Sequence, residues 1–184
     1  MNFAHLTATA PQRPTSPWLL VNTEEQLLYL LGAEGDILQS WPVSTAKAGL
    51  GEQEGSGCTP RGWHRIRACI GEGQDARAVF RGRRPTGEIW TPELNQAHPN
   101  RDWILGRILW LCGEEKGLNR GGSADSQRRY IYLHGTPDDQ PMGIPLSHGC
   151  IRLRPEQMLE VFARAHPGML LLTTASQDKP VIAE

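Results

Sequence analysis

The residues with the clearest chemical potential lie close together, between Tyr130 and Arg154. This segment reads YIYLHGTPDDQPMGIPLSHGCIRLR, and in it an apolar run ends at His134 before a loop leads to Cys150. A thiol near an imidazole is a natural nucleophile and base pair, because the thiolate reacts and a neighbouring imidazolium stabilises it. The glycine before the cysteine lets the backbone bend so that adjacent N–H groups point at a developing oxyanion. The segment therefore predicts acyl transfer through a thioester on Cys150.

The elements that must position these residues are mostly short strands, because brief apolar segments alternate with polar or glycine-containing turns. The first three predicted strands have the spacing of a β-meander. Pro155–Ala165 predicts a helix, since its apolar residues recur at helical spacing after a first-turn proline. The sequence thus predicts a mainly β fold, a β-rich α+β domain with one or two short helices. The predicted strands are Trp18–Asn22, Gln26–Leu31, Asp36–Thr45, Trp63–Ile70, Val79–Phe80, Ile89–Trp90, Asp102–Cys112, Arg129–Leu133 and Gly168–Thr174.

Length and composition favour one domain, because 184 residues with 39% hydrophobic content suffice for one core. Residues 1–17 lack a hydrophobic period and predict a loose or extended, flexible arm. We expect the domain to cover residues 18–174 and a C-terminal tail to cover residues 175–184.

Charge and cysteine content limit the partners and the compartment. Nineteen basic and 20 acidic side chains leave a net charge of -1, which gives no general attraction to nucleic acid or to a membrane surface. We recognise no export signal or membrane-spanning run, and the four cysteines show no C-x-x-C spacing. Cys58, Cys69 and Cys112 are expected to be apolar filler. The cytoplasm is the expected location, and the periplasm is the alternative if an export signal precedes this sequence.

A basic cluster, Arg81, Arg83 and Arg84, lies within the glycine- and proline-rich stretch Gly71–Pro99. Such stretches form surface connections that often carry binding residues. A solvated face is the usual outcome for a cluster of this kind, and an anion-binding site is the alternative.

Two other classes of function are compatible with the central segment. His134, His148 and Cys150 are all possible zinc ligands and would leave an open position for catalysis. The His-x-Cys spacing is unusual for zinc, and the sequence places no obvious carboxylate behind the imidazoles. A non-catalytic glycan- or peptide-binding module is the third possibility, although such a module would be expected to have lost the thiol.

Several motifs together resemble the YkuD-type L,D-transpeptidase catalytic domain. They are HGT at His134–Thr136, the proline-rich loop after it, SHGCIRL at Ser147–Leu153 and TPRGW at Thr59–Trp63. The likeness extends from Trp18 to Thr173. It implies a sandwich- or barrel-like β domain whose cysteine is acylated by the third residue of a peptidoglycan stem peptide, releasing the terminal D-alanine.

The resemblance also implies a role for each site residue. Cys150 would be the nucleophile and His134 the general base, with the carbonyl of Gly135 orienting the imidazole. The N–H groups of Gly149 and Cys150 would form much of the oxyanion hole. His148 would line the pocket and help to position the substrate.

Two further residues complete the candidate site. Ser147 precedes the His-Gly-Cys triplet and is included with the substrate-binding and oxyanion residues. Arg152 stands where many members of the family carry asparagine. A guanidinium could hold a stem-peptide carboxylate in bidentate fashion, which asparagine could not.

The choice between water and an amine as acyl acceptor rests on the expected location. In the cytoplasm, an L,D-carboxypeptidase trimming soluble tetrapeptide fragments during murein recycling is the favoured interpretation. A transpeptidase that forms cross-links or exchanges D-amino acids is the alternative. The expected partner is a peptidoglycan stem peptide or muropeptide fragment, with no cofactor, no metal, no nucleic acid and no membrane; the oligomeric state is left open.

Overall fold

The computed structural model describes residues 2–175, which form a mixed β-sheet with two short α-helices. The main path through the sheet runs β3-β2-β1-β10-β4-β7-β5-β6, with β8 paired to β7 and β9 paired to β8. The mainly β prediction is confirmed. The strands are β1 Trp18–Asn22, β2 Leu27–Leu31, β3 Ile37–Pro42, β4 Gly62–Ile70, β5 Ala78–Arg81, β6 Arg84–Ile89, β7 Ile104–Gly113, β8 Tyr132–Gly135, β9 Ile151–Leu153 and β10 Leu170–Thr174; the helices are α1 Pro92–Ala97 and α2 Pro155–Phe162.

Both faces of the central sheet are covered, so every residue of β1 is buried. Leu19 and Val21 belong to the larger hydrophobic cluster, which also contains Met158 and Val161 of α2. Trp18 and Leu20 point into a second cluster on the opposite face, because neighbouring strand residues alternate in direction. These two clusters therefore lie on opposite faces of the sheet at β1.

The N-terminal segment contributes to the second cluster. Residues Ala4–Thr9 form a 3-10 helix, and Leu6 is buried against the cluster that contains Trp18. The indole of Trp63 donates a hydrogen bond to Thr9 over 3.1 Å. Part of the predicted arm is thus packed on the sheet, which its aperiodic sequence did not indicate. The predicted tail 175–184 lies outside the described residues from position 176 onward.

The predicted meander is confirmed by antiparallel pairing of β1 with β2 and of β2 with β3. The strand predicted at Arg129–Leu133 is displaced: β8 begins at Tyr132, after Tyr130 adopts a φ of 55°, and it continues through His134 to Gly135. A residue with such a φ lies outside the β region, so the strand cannot include it.

Two short elements had no predicted counterpart. The helix α1 has six residues, too few for a hydrophobic period, and begins where Thr91 caps the N–H of Leu94. The strand β9 has three residues, too few to show a period, and is held by pairing with β8 and by a bridge from Arg152 to Ser44. None of the helices in residues 2–175 has the length and apolar character needed to cross a membrane.

A buried histidine makes the stability of the fold depend on pH. His64 on β4 is fully buried, with Nδ1 3.0 Å from the carbonyl of Gly62 and Nε2 2.9 Å from the hydroxyl of Ser126. Burial lowers its pKa from 6.5 to about 4. Between these values the unfolded chain binds a proton that the folded chain does not bind.

We therefore expect the free energy of unfolding to fall as the pH drops from about 6.5 toward 4, by about 1.4 kcal/mol for each unit of pKa difference. His64→Gln should lower stability at pH 7 but reduce this pH dependence, because the titrating group is removed. Urea unfolding measured at several pH values checks the prediction. The control, His5→Gln, changes an exposed histidine and should keep the wild-type slope; an unchanged slope in His64→Gln would contradict the assignment.

Candidate active site

The site is organised by the parallel pairing of β8 with β9. Leu133 is the register partner of Ile151, and His134 is the partner of Arg152. Cys150 immediately precedes β9 and lies beside Tyr132, whose N–H approaches the sulfur at 3.4 Å. Because partners in a parallel pair point to the same face, His134 and Cys150 project from one face of the two strands.

The other face of the same two strands is anchored in the core. Leu133, Ile151 and Leu153 are fully buried in the larger hydrophobic cluster, together with Met158 of α2. Alternation along each strand therefore places the apolar residues under α2 and the chemical residues on the opposite side. A register shift of one residue would exchange the two sets, so core packing determines where the thiol and the imidazole point.

The imidazole of His134 is buried and oriented by its neighbour. Its Nδ1 lies 2.8 Å from the carbonyl oxygen of Gly135. A carbonyl only accepts hydrogen bonds, so the neutral ring carries its proton on Nδ1 and leaves Nε2 as a base. Burial lowers the pKa of His134 to about 4, against the opposing effect of this hydrogen bond. The ring is thus neutral at ordinary pH.

The thiol of Cys150 lies among backbone groups at a half-buried position. Besides the N–H of Tyr132, the sulfur contacts the carbonyl oxygen of Tyr130 at 3.5 Å. Burial raises the pKa of the Cys150 thiol to about 11, although the Tyr132 N–H acts in the opposite direction. The resting pair is therefore a neutral thiol and a neutral imidazole, and the proton must move as the sulfur attacks.

The turn before Cys150 is held by side-chain hydrogen bonds. The hydroxyl of Ser147 accepts from the N–H of Gly149 at 3.2 Å and donates to the carbonyl of Cys150. Thr59, from the TPRGW motif, donates to the carbonyl of Gly149 at 3.0 Å. Gly149 has a φ of 132°, which L side chains rarely adopt. Ser147 therefore shapes the turn, and the N–H of Gly149 is already engaged by it.

A cavity of about 280 Å³ lies beyond the end of β8 and includes His148 and Arg152 in its lining. Arg152 is buried and donates to the carboxylate of Asp102 at 2.7 Å. The exposed His148 has its Nδ1 3.7 Å from the same carboxylate. Asp102 thus lies between the two residues, although the sequence indicated it only as the start of a strand.

The structure places His134 on β8 and Cys150 immediately before β9, on one face of this strand pair; Gly135 orients the ring, and Ser147 and Gly149 form the turn before Cys150. His148 points toward Asp102, and no contact of its ring with the sulfur is present in the described chain. Within residues 2–175, no cluster of three or more His, Cys, Asp or Glu side chains is arranged to hold a metal ion.

A thiol and an oriented, neutral imidazole on one face of a pair of strands have the features of a cysteine-dependent acyl-transfer site. The family model described as the L,D-transpeptidase catalytic domain, YkuD, matches residues 16–182. The chain therefore belongs to the YkuD family of L,D-transpeptidase catalytic domains. A comparison with curated proteins returns no match.

Solved structures share the fold at low sequence identity. Bdellovibrio bacteriovorus Bd1075 has a TM-score of 0.53 and 14% identity, over 95% of this chain and 51% of its own. An Enterococcus faecium L,D-transpeptidase has a TM-score of 0.51 and 13% identity, over 88% of this chain and 50% of its own. L,D-transpeptidase 3 from Mycobacterium tuberculosis has a TM-score of 0.51 and 14% identity, over 86% of this chain and 60% of its own. The chain thus spans between 50% and 60% of the length of these three proteins.

The protonation state of the resting pair predicts how the thiol reacts with iodoacetamide. Only the thiolate is alkylated, so the rate at Cys150 should rise about tenfold per pH unit between pH 7 and 9. Mass spectrometry of the peptide containing Cys150 measures this rate, and Cys150→Ser gives the background from the other cysteines. A rate that is already constant near neutral pH would indicate a thiolate–imidazolium pair instead.

Proposed function

We propose that this domain cleaves the bond before the terminal D-alanine of peptidoglycan stem tetrapeptides, through a thioester on Cys150. The observation that carries the proposal is the placement of Cys150 and His134 on one face of β8 and β9, with Nδ1 of His134 fixed by Gly135. Membership of the YkuD family supports the same substrate class.

In the proposed reaction, Nε2 of His134 takes the thiol proton as the sulfur attacks the carbonyl of the third stem residue. The negative charge passes to the carbonyl oxygen of a tetrahedral intermediate, where the N–H of Cys150 can donate to it. Collapse breaks the C–N bond, and the imidazolium gives its proton to the departing amine of D-alanine. Water, deprotonated by the same nitrogen, then hydrolyses the thioester and restores the thiol.

Arg152 is proposed to hold a carboxylate of the substrate. Its Nε is buried without a hydrogen-bond partner in the described part of the chain, while one terminal nitrogen is bound to Asp102. A bound carboxylate would use the free edge of the guanidinium. His148, which lines the same cavity, would contact the substrate there.

We propose water as the acyl acceptor, which makes the enzyme an L,D-carboxypeptidase. The half-buried thiol supports this, since a water molecule needs only access and a base, both of which the site provides. The four free thiols support a reducing compartment such as the cytoplasm. The alternative is transfer to an amine, which the naming of the structural neighbours as L,D-transpeptidases favours.

Incubation with a disaccharide tetrapeptide separates the two acceptors. We expect a disaccharide tripeptide and free D-alanine in equal amounts, because each thioester is resolved by water. Mass spectrometry of the products, with and without an added D-amino acid such as D-methionine, checks this. Dimers or exchange products as the main species would establish transpeptidation and would contradict the hydrolytic proposal.

Variants of the two central residues test the mechanism. Cys150→Ala should abolish D-alanine release while keeping the thermal unfolding profile, because only the nucleophile is lost. His134→Ala should reduce kcat by about a hundredfold or more, the usual scale for loss of a general base. Cys58→Ala, which removes another half-buried cysteine, is the matched control and should retain activity. Turnover by Cys150→Ala would eliminate the thioester mechanism.

A further inference from the structure

Arg83, a member of the basic cluster noted in the sequence, is held over aromatic rings near the nucleophile. Its guanidinium lies 4.4 Å from the ring centre of Trp110 and 5.1 Å from that of Tyr130. One terminal nitrogen donates a 3.0 Å hydrogen bond to the hydroxyl of Tyr132. Stacking of this kind fixes the plane of the guanidinium and leaves its remaining N–H groups able to bind a ligand.

The backbone around this group adopts conformations that side chains rarely occupy. Arg83 has a φ of 65° in the turn between β5 and β6, and Tyr130 has a φ of 55° just before β8. Tyr130 is also one of the large apolar side chains that remain exposed. Strained residues persist where the surrounding structure imposes them, and here both contribute to one stacked arrangement.

The guanidinium of Arg83 is not neutralised by the protein. Among residues 2–175, no carboxylate lies within 4.0 Å of it. A second arginine, Arg67, lies 5.7 Å from the ring of Trp110, and Arg81 and Arg84 occupy the same hairpin. The surroundings are therefore cationic, although the whole chain has a net charge of only -1. An anionic group of a ligand would be attracted to this position.

The length of one tyrosine side chain separates Arg83 from the reacting sulfur. The backbone N–H of Tyr132 contacts the Cys150 sulfur, and the hydroxyl of the same residue accepts from Arg83. The Arg83 guanidinium thus lies at the start of β8, where it contacts Tyr130 and Tyr132, whereas the cavity with His148 and Arg152 lies beyond the end of β8, at Thr136. Arg83 and Arg152 therefore lie at opposite ends of the paired strands β8 and β9.

We propose that Arg83 binds the side-chain carboxylate of the third stem residue and so selects diaminopimelate over lysine at that position. The inference rests on the proposed function, because the sulfur then attacks the carbonyl of that same residue. The diaminopimelate side chain carries its carboxylate on the fourth side-chain carbon, a reach comparable to that of the Tyr132 side chain. Lysine has the same carbon chain and the same ammonium but lacks the carboxylate.

This difference makes the two stem peptides a matched pair. A carboxylate can form a bidentate, charge-assisted pair with the free edge of a guanidinium. The lysine ammonium, without the carboxylate, would face Arg83 and its basic neighbours with no compensating charge. Selection therefore comes both from the attraction of one substrate and from the repulsion of the other.

The test measures kcat/KM for D-alanine release from tetrapeptides with meso-diaminopimelate or L-lysine at position three. Wild-type protein should prefer the diaminopimelate substrate. Arg83→Ala should reduce kcat/KM on that substrate by about ten- to hundredfold, mainly through KM, and leave the lysine substrate unchanged or improved. Arg83→Lys should recover part of the loss, because it restores the charge without the planar fork.

The control is Arg13→Ala, which removes an exposed arginine that pairs with Glu34 in the N-terminal segment and should keep the wild-type preference. Continued turnover of the lysine substrate by Arg83→Ala shows that the variant is folded. An equal loss on both substrates, or no loss on either, would overturn the role of Arg83.

A binding measurement distinguishes failure of this inference from failure of the proposed function. If wild-type protein releases D-alanine from neither substrate, the proposed function is wrong. Calorimetric titration with the two tripeptides then tests Arg83 directly. It compares the Cys150→Ala variant with the double variant that carries both Cys150→Ala and Arg83→Ala. Tighter binding of the diaminopimelate tripeptide that depends on Arg83 supports the assignment, and equal or absent binding of both tripeptides contradicts it.

Discussion

The parallel pairing of β8 with β9 is the constraint on which the rest of the site depends. It sets His134 beside Arg152 and brings Cys150 next to the backbone of Tyr132. Parallel strands need a long connection, and here the chain between them is the proline- and glycine-containing loop. Leu133 and Ile151 bury the opposite face, so the free energy of core packing maintains the orientation of His134 and Cys150.

Burial gives the pair its electrostatic character. Removal from water favours the uncharged forms of both Cys150 and His134, so the ion pair that a thiol and an imidazole form in other settings is disfavoured here. The carbonyl of Gly135 opposes this effect at His134, because its hydrogen bond with Nδ1 stabilises the protonated ring. The same bond places the proton of the neutral ring on Nδ1 and leaves Nε2 as the base. In the proposed reaction, charge therefore develops only when the sulfur attacks, and the backbone N–H of Cys150 is the donor that stabilises it.

Charged side chains are arranged around this neutral centre in two different ways. Arg152 is buried and paired with Asp102, which also faces His148. Arg83 is supported by aromatic rings and has no acidic partner in the described residues. A paired cation contributes mainly position and shape, whereas an unpaired one contributes net charge to its end of the site. The asymmetry suits a substrate that carries more than one carboxylate.

Residue type and spacing were enough to determine the mainly β class, the first three strands and the second helix, because these depend on local pattern. Short motifs also predicted Cys150 and His134 as the candidate nucleophile and base. The tertiary structure alone decided the three-residue β9, the packing of Leu6, the hydrogen bond from Thr59 to the carbonyl of Gly149, and the approach of Asp102 and Arg83 to the site. Each of these is a contact between residues far apart in the chain or an element too short to show a period. Local sequence carries no signal for such contacts, because they form only when the whole sheet has closed.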